Sequence, residues 1–207
     1  MNNEFWWYVA RASGLVAAVL VAATLLWGLL ITTHLIDRRG MPAWLTDLHR
    51  GLGGLSVVFI GIHLGALVAD DYLYFSWRDL LVPFASTYEA GAVAWGVVAL
   101  WGMVLVEGSS LVVRRRKKSG WWRRIHYLSF PVGVLVGVHM LTAGTDVGTT
   151  PFRLIGLGLL GALLFLVIYR LLGGRARRPA PPRPAVRPPL AATTTPGGPP
   201  RTPQDAP

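Results

Sequence analysis

The chain contains no cysteine. Thiolate-bound haem, iron–sulfur clusters, covalently attached c-type haem, disulfides and zinc ribbons are thereby excluded together, and any redox chemistry has to rest on histidine. Acidic residues are also few, ten against twenty Lys and Arg, which leaves a formal net charge of +10. An excess of that sign suits a nucleic acid. Most of it, however, lies between Arg114 and Arg124 and in the carboxy-terminal tail, and long stretches elsewhere carry almost no charge. No nucleic-acid partner is expected.

Apolar residues make up 53% of the chain, and segment length decides whether they fill one core or several membrane spans. Apolar runs of about 20 residues, enough to cross a bilayer, recur where soluble helices of that length would show a polar stripe. The reading is an all-α integral membrane protein, a five-helix transmembrane bundle with spans at 12–34, 48–69, 90–112, 125–145 and 152–172. The run from Leu15 to Ile31 is too long for a signal-peptide core and lacks a convincing small-residue cleavage site, so it is kept as a span. Phe5, Trp6, Trp7 and Tyr8 precede it as an interfacial aromatic belt. Residues 1–172 form the membrane domain, and residues 173–207, rich in Pro, Ala, Thr and Arg, are expected to be a disordered cytoplasmic tail. Pro179 to Pro182 formally contains a PxxP ligand, which such a composition readily produces by chance.

Short loops rich in Lys and Arg stay in the cytoplasm. Arg38, Arg39 and Arg50 mark the first connection as inside, Arg114, Arg115, Arg116, Lys117, Lys118, Arg123 and Arg124 the third, and Arg170, Arg175, Arg177 and Arg178 the tail. The second connection instead holds Asp70, Asp71 and Asp79 against Arg78. The amino terminus is then outside and the carboxy terminus cytoplasmic, in the plasma (cell inner) membrane. Spans two and four run parallel, both from inside to outside.

Those two spans carry the polar residues that need a reason. His49 and His63 stand fourteen residues apart in one, His126 and His139 thirteen apart in the other. At about 1.5 Å per residue each pair covers about 20 Å of membrane depth, too far to converge on one zinc. An imidazole in hydrocarbon is costly unless a partner uses it, and neutral imidazole is a common ligand of haem iron. Two stacked b-type haems between helices two and four, each held by one histidine from each helix, account for four ligands at two depths. His49 and His126 lie toward the cytoplasm, His63 and His139 toward the outer face.

Helical phase tests this arrangement. At 100° per residue His63 returns to within about 40° of the face of His49, but His139 falls about 140° from His126. Pro131 lies between the latter pair, so a kink or altered winding is expected around Tyr127 to Pro131. Gly51, Gly53, Gly54, Gly61 and Gly65 on span two, with Gly133 and Gly137 on span four, offer haem clearance or ordinary helix contact. Arg50, Arg123 and Arg124 sit beside the inner ligands, where they either bind haem propionates or signal topology. Met140 is read as packing, His34 as facing water, and Glu107 as pairing with a loop arginine in preference to carrying protons. Phe130 falls between the two ligand depths, where it either occupies the gap between haems or simply packs.

Asp47-Leu48-His49-Arg50 with His63, and His126-Tyr127-Leu128-Ser129-Phe130 with His139, resemble the ferric reductase-like transmembrane domain. That superfamily includes ferric-chelate reductases, the membrane parts of NADPH oxidases and the bacterial haem subunit that feeds a periplasmic methionine sulfoxide reductase. The resemblance implies that His49 and His126 ligate an inner haem and His63 and His139 an outer one, with electrons passing from a cytoplasmic donor to an outer acceptor. Many members have six spans and a carboxy-terminal flavin and nicotinamide domain. Here five spans are read, and no phosphate-cradling glycine fingerprint follows a strand.

The expectation is a bis-haem b-type cytochrome that relays single electrons across the bilayer. A separate flavoprotein or quinol would reduce it, and a ferric chelate, oxygen or a redox protein at the outer face would accept. One alternative is the haem-bearing membrane subunit of a dedicated quinol-linked reductase complex. Another is a haem-free scaffold or transporter whose histidines lock helices together.

Overall fold

In the computed structural model, residues 4–33, 43–113 and 120–173 are described. They form seven helices and, among the described residues, no strand: α1 Glu4–Thr33, α2 Ala43–Ala69, α3 Trp77–Leu81, α4 Ala90–Val113, α5 Gly120–His126, α6 Ser129–Ala143 and α7 Thr150–Gly173. Among the described residues five segments are long and apolar enough to cross a membrane: α1, α2, α4, the α5–α6 unit from Gly120 to Ala143, and α7. Helices satisfy their own backbone groups, the condition for entering hydrocarbon. Leu154, Leu157, Leu171 and Leu172 of α7 are exposed, as are Val134 and Leu141 of α6, and a bilayer would cover them.

The helix starts differ from the sequence reading. α1 begins at Glu4, so Phe5 to Tyr8 form its first turns, and α2 begins at Ala43, five residues before the expected Leu48. Aromatic and polar residues lowered the local hydropathy there without interrupting the helix. His34, Arg38, Arg39, Arg114 to Lys118 and the tail from Gly174 lie outside the described residues.

The fourth span is interrupted at Tyr127 and Leu128, within the segment where altered winding was expected. Pro131 has no N–H to offer the Tyr127 carbonyl, and Phe130 N–H bonds it instead at 3.3 Å; Leu128 N–H likewise bonds Ile125 O at 2.9 Å. Both are three-residue bonds, and such tight turns advance each residue by about 120° instead of 100°. The extra rotation moves His139 toward the face of His126. Pro131 then sits in the first turn of α6, where a missing donor costs nothing.

α1 lies along α2, and α4 along α6, while α2 and α6 hardly touch. Both close pairs are antiparallel: Gly14 meets His63 and Gly28 meets His49, and Gly96 meets His139 where Gly102 meets Val132. Val21, Met103 and Val132 form a buried cluster at mid-height with Leu25, Ile60 and Val136 around it, tying α1, α2, α4 and α6 together. Phe130 is not part of that cluster.

The connection from Asp70 to Glu89 folds back over the helix ends. Phe75 and Leu80 pack with Val93 and Val97 and against Leu64, Leu67 and Val68. Ser76 and Asp79 make a capping box at the start of α3, and the Trp101 indole donates to Leu81 O at 2.9 Å. Hydrogen bonds from Ser76 hold the Asp79 carboxylate below its usual range. Tyr74, Phe84 and Glu89 take positive φ of 49°, 63° and 41° at the bends.

Candidate functional site

The four histidines come together in two groups. His49 of α2 and His126 at the end of α5 face each other with ring centres 6.0 Å apart and planes at 77°. His63 of α2 and His139 of α6 line one apolar cavity of about 260 Å³, with Gly14, Gly96, Val136 and Met140 also in its wall. Parallel α2 and α6, held apart by their contacts to α1 and α4, put one such group at each level.

Three of the imidazoles are oriented in the same way. The Nδ1 of His63 lies 2.7 Å from Ala10 O, that of His139 2.8 Å from Ala92 O, and that of His49 3.2 Å from Thr24 O. A carbonyl only accepts, so each Nδ1 carries the proton and each Nε2 keeps its lone pair. His126 is different. Its Nδ1 is buried without a hydrogen bond, and its ring stacks on Trp122 at 5.0 Å with planes 23° apart.

None of the glycines beside these rings is one singled out in the sequence. Gly51, Gly54, Gly61, Gly65 and Gly137 have nothing beyond their chain neighbours and own helix backbone within 4 Å of where a Cβ would stand. On α2, Gly51, Gly54, Gly61 and Gly65 all fall at least about 140° around the helix from the nearer histidine. Gly53 faces the Glu107 carboxylate of α4, which therefore reaches α2, and Gly133 faces Leu25. The residues that approach imidazoles are Gly14, Gly28 and Gly96, on the two helices that carry no histidine pair.

Arg50 bonds Asp47 at 3.2 Å on an exposed face, and Arg123 and Arg124 are exposed on α5. The arginine at the cavity is Arg11, which stands one residue before the first expected span and to which the sequence reading gave no role. Its guanidinium holds the Asp146 carboxylate through Nε and Nη2, the first at 2.7 Å, and stacks over Trp7 at 5.0 Å. All three residues line the cavity that contains His63 and His139. The bond from Arg11 draws the Asp146 carboxyl below its usual pKa. Among the described residues no group of three or more His, Cys, Asp or Glu is placed to hold a metal ion by itself.

The family model described as ferric reductase like transmembrane component matches residues 13–137. The chain belongs to that family. The match takes in α1 from Ser13 through most of α6, including His49, His63 and His126, and ends two residues before His139. No curated protein and no solved structure matches the chain significantly. Membership marks the chain as a multi-pass membrane redox component, in agreement with its five apolar spans.

Proposed function

We propose that the protein is a transmembrane bis-haem b-type cytochrome, with His49 and His126 holding the inner haem and His63 and His139 the outer one. The observation that carries this reading is the pairing of imidazoles at two levels, with Nδ1 of three rings bonded to carbonyls and Nε2 left to bind. His49 and His126, with ring centres 6.0 Å apart, would together hold the inner haem, and His63 and His139, which share one cavity, would hold the outer one. The donor set fits as well: neutral nitrogen ligands, three of the four steadied from the far side by a backbone carbonyl, are what haem iron takes. When bound, the haems supply a ferric–ferrous couple at each level.

The protein's own part is placement and insulation. α1 and α4 fix the rings and hold α2 and α6 apart, leaving room between the two histidine-bearing helices. Val21, Met103 and Val132 put an apolar layer between the levels. With two histidines committed to each haem, the bound groups would supply outer-sphere electron transfer. A separate flavoprotein or quinol donates from the cytoplasmic side, and a ferric chelate, oxygen or a redox protein accepts outside.

Transfer across vesicles tests this directly. With the purified chain in liposomes loaded with dithionite, an external impermeant ferric chelate should be reduced at a rate that depends on the protein. Reduction no faster than in protein-free liposomes overturns the relay.

A further inference from the structure

In an α-helix the carbonyl of residue i points at residue i+4, whose side chain normally covers it. Ala10 and Gly14, Thr24 and Gly28, and Ala92 and Gly96 each stand at that spacing, and each pair receives one imidazole. A Cβ on Gly14 would stand 2.9 Å from His63 Nδ1, one on Gly96 2.8 Å from His139 Cε1, and one on Gly28 3.1 Å from His49 Cε1. The tighter approaches at Gly14 and Gly96 accompany the shorter bonds to nitrogen, and the looser one at Gly28 the longest. Carbonyl oxygen has two lone pairs, so it can serve both its helix and the ring.

The notches are also in register. Gly14 and Gly28 are fourteen residues apart on α1, as are His49 and His63 on antiparallel α2. Moving along α4 from Gly96 by the thirteen residues that separate His139 from His126 arrives at Ser109, a buried serine whose hydroxyl bonds Val106 O at 2.9 Å. No glycine stands there, and His126 is the ring whose Nδ1 is unpartnered.

We propose that Gly14, Gly28 and Gly96 are positioning residues, each opening a helix carbonyl to the Nδ1–H of one histidine and so turning its Nε2 toward the haem. α1 thus acts on both levels without supplying a ligand. What Nε2 binds rests on the bis-haem reading; the ring orientation does not, and the test treats them separately.

The first measurement uses the haem-free full-length chain labelled with ¹⁵N-histidine. His49, His63 and His139 should appear as Nδ1–H tautomers, and each of Gly28→Ala, Gly14→Ala and Gly96→Ala should abolish that signature at its own histidine alone. An unchanged tautomer at the facing ring overturns the proposal whether or not haem binds. The second uses the haem-loaded chain: Gly14→Ala and Gly96→Ala should weaken outer-haem binding roughly 10- to 100-fold, the range for removing a partner behind a metal ligand. Gly28→Ala should act on the inner haem, and Gly54→Ala and Gly61→Ala on neither. Equal damage from the control substitutions, or undiminished binding in the three notch variants, overturns it. If Gly14→Ala does not fold, the double variant with His63→Ala should restore folding and the inner haem, because the clash is with that ring. Failure of the double variant to fold places the role of Gly14 elsewhere.

Discussion

His49 and His126 come from helices that hardly touch, yet their rings meet edge to face with centres 6.0 Å apart. At the other level His63 and His139 share one cavity. His49→Ala or His126→Ala should therefore remove the inner haem and leave some outer haem, and His63→Ala or His139→Ala the reverse. Optical and paramagnetic resonance spectra of the four variants check this. Loss of the same haem in His49→Ala and His63→Ala contradicts the pairing.

The break at Tyr127 and Leu128 turns His126 toward the face that carries His139. Pro131→Ala supplies an N–H able to bond Tyr127 O in the ordinary four-residue pattern and to straighten the span. α6 is anchored through Val132 and His139, so His126 should swing by tens of degrees and inner-haem affinity should fall about tenfold or more. Haem content of Pro131→Ala, with the outer spectrum unchanged, is the expected result; two intact haems contradict it.

The five spans and the grouping of the four histidines at two levels were legible because apolar length and the spacing of rare polar residues survive without tertiary context, whereas the short α3 and the division of the fourth span into α5 and α6 made seven helices of the expected five. The bend near Pro131 was legible too, from a phase mismatch that a straight helix cannot repair. Gly14, Gly28 and Gly96 were not, since nothing local distinguishes a glycine that meets an imidazole on another helix from one facing open space, such as Gly61. Arg11 was hidden for a similar reason: its partner Asp146 lies 135 residues away, and in sequence it reads as the polar edge of a span.

The Arg11–Asp146 pair ties α1 to the connection between α6 and α7. Asp146 has its pKa lowered in the folded chain, so the stabilisation it contributes is present above the ordinary carboxylate value of about 4 and is lost as pH falls through the lower folded value. Thermal unfolding between pH 6 and pH 3, by design of the assay, should show this loss in the native chain and a flatter profile in Asp146→Asn. Identical profiles contradict it.

Asp70 is only 2% exposed and neither carboxylate oxygen has a hydrogen-bond partner. An unpartnered buried polar group costs about 1–3 kcal/mol, more when charged. Asp70→Asn should consequently raise the unfolding midpoint by a few degrees, roughly what 1 kcal/mol produces in a chain of this size. A lower midpoint would reveal a partner that stabilises the charge.

Haem stoichiometry tests the whole account most directly. Purified full-length chain, supplied with haem and reduced with dithionite, should give a b-type spectrum with about two haems per chain. A correctly folded preparation that stays colourless contradicts it.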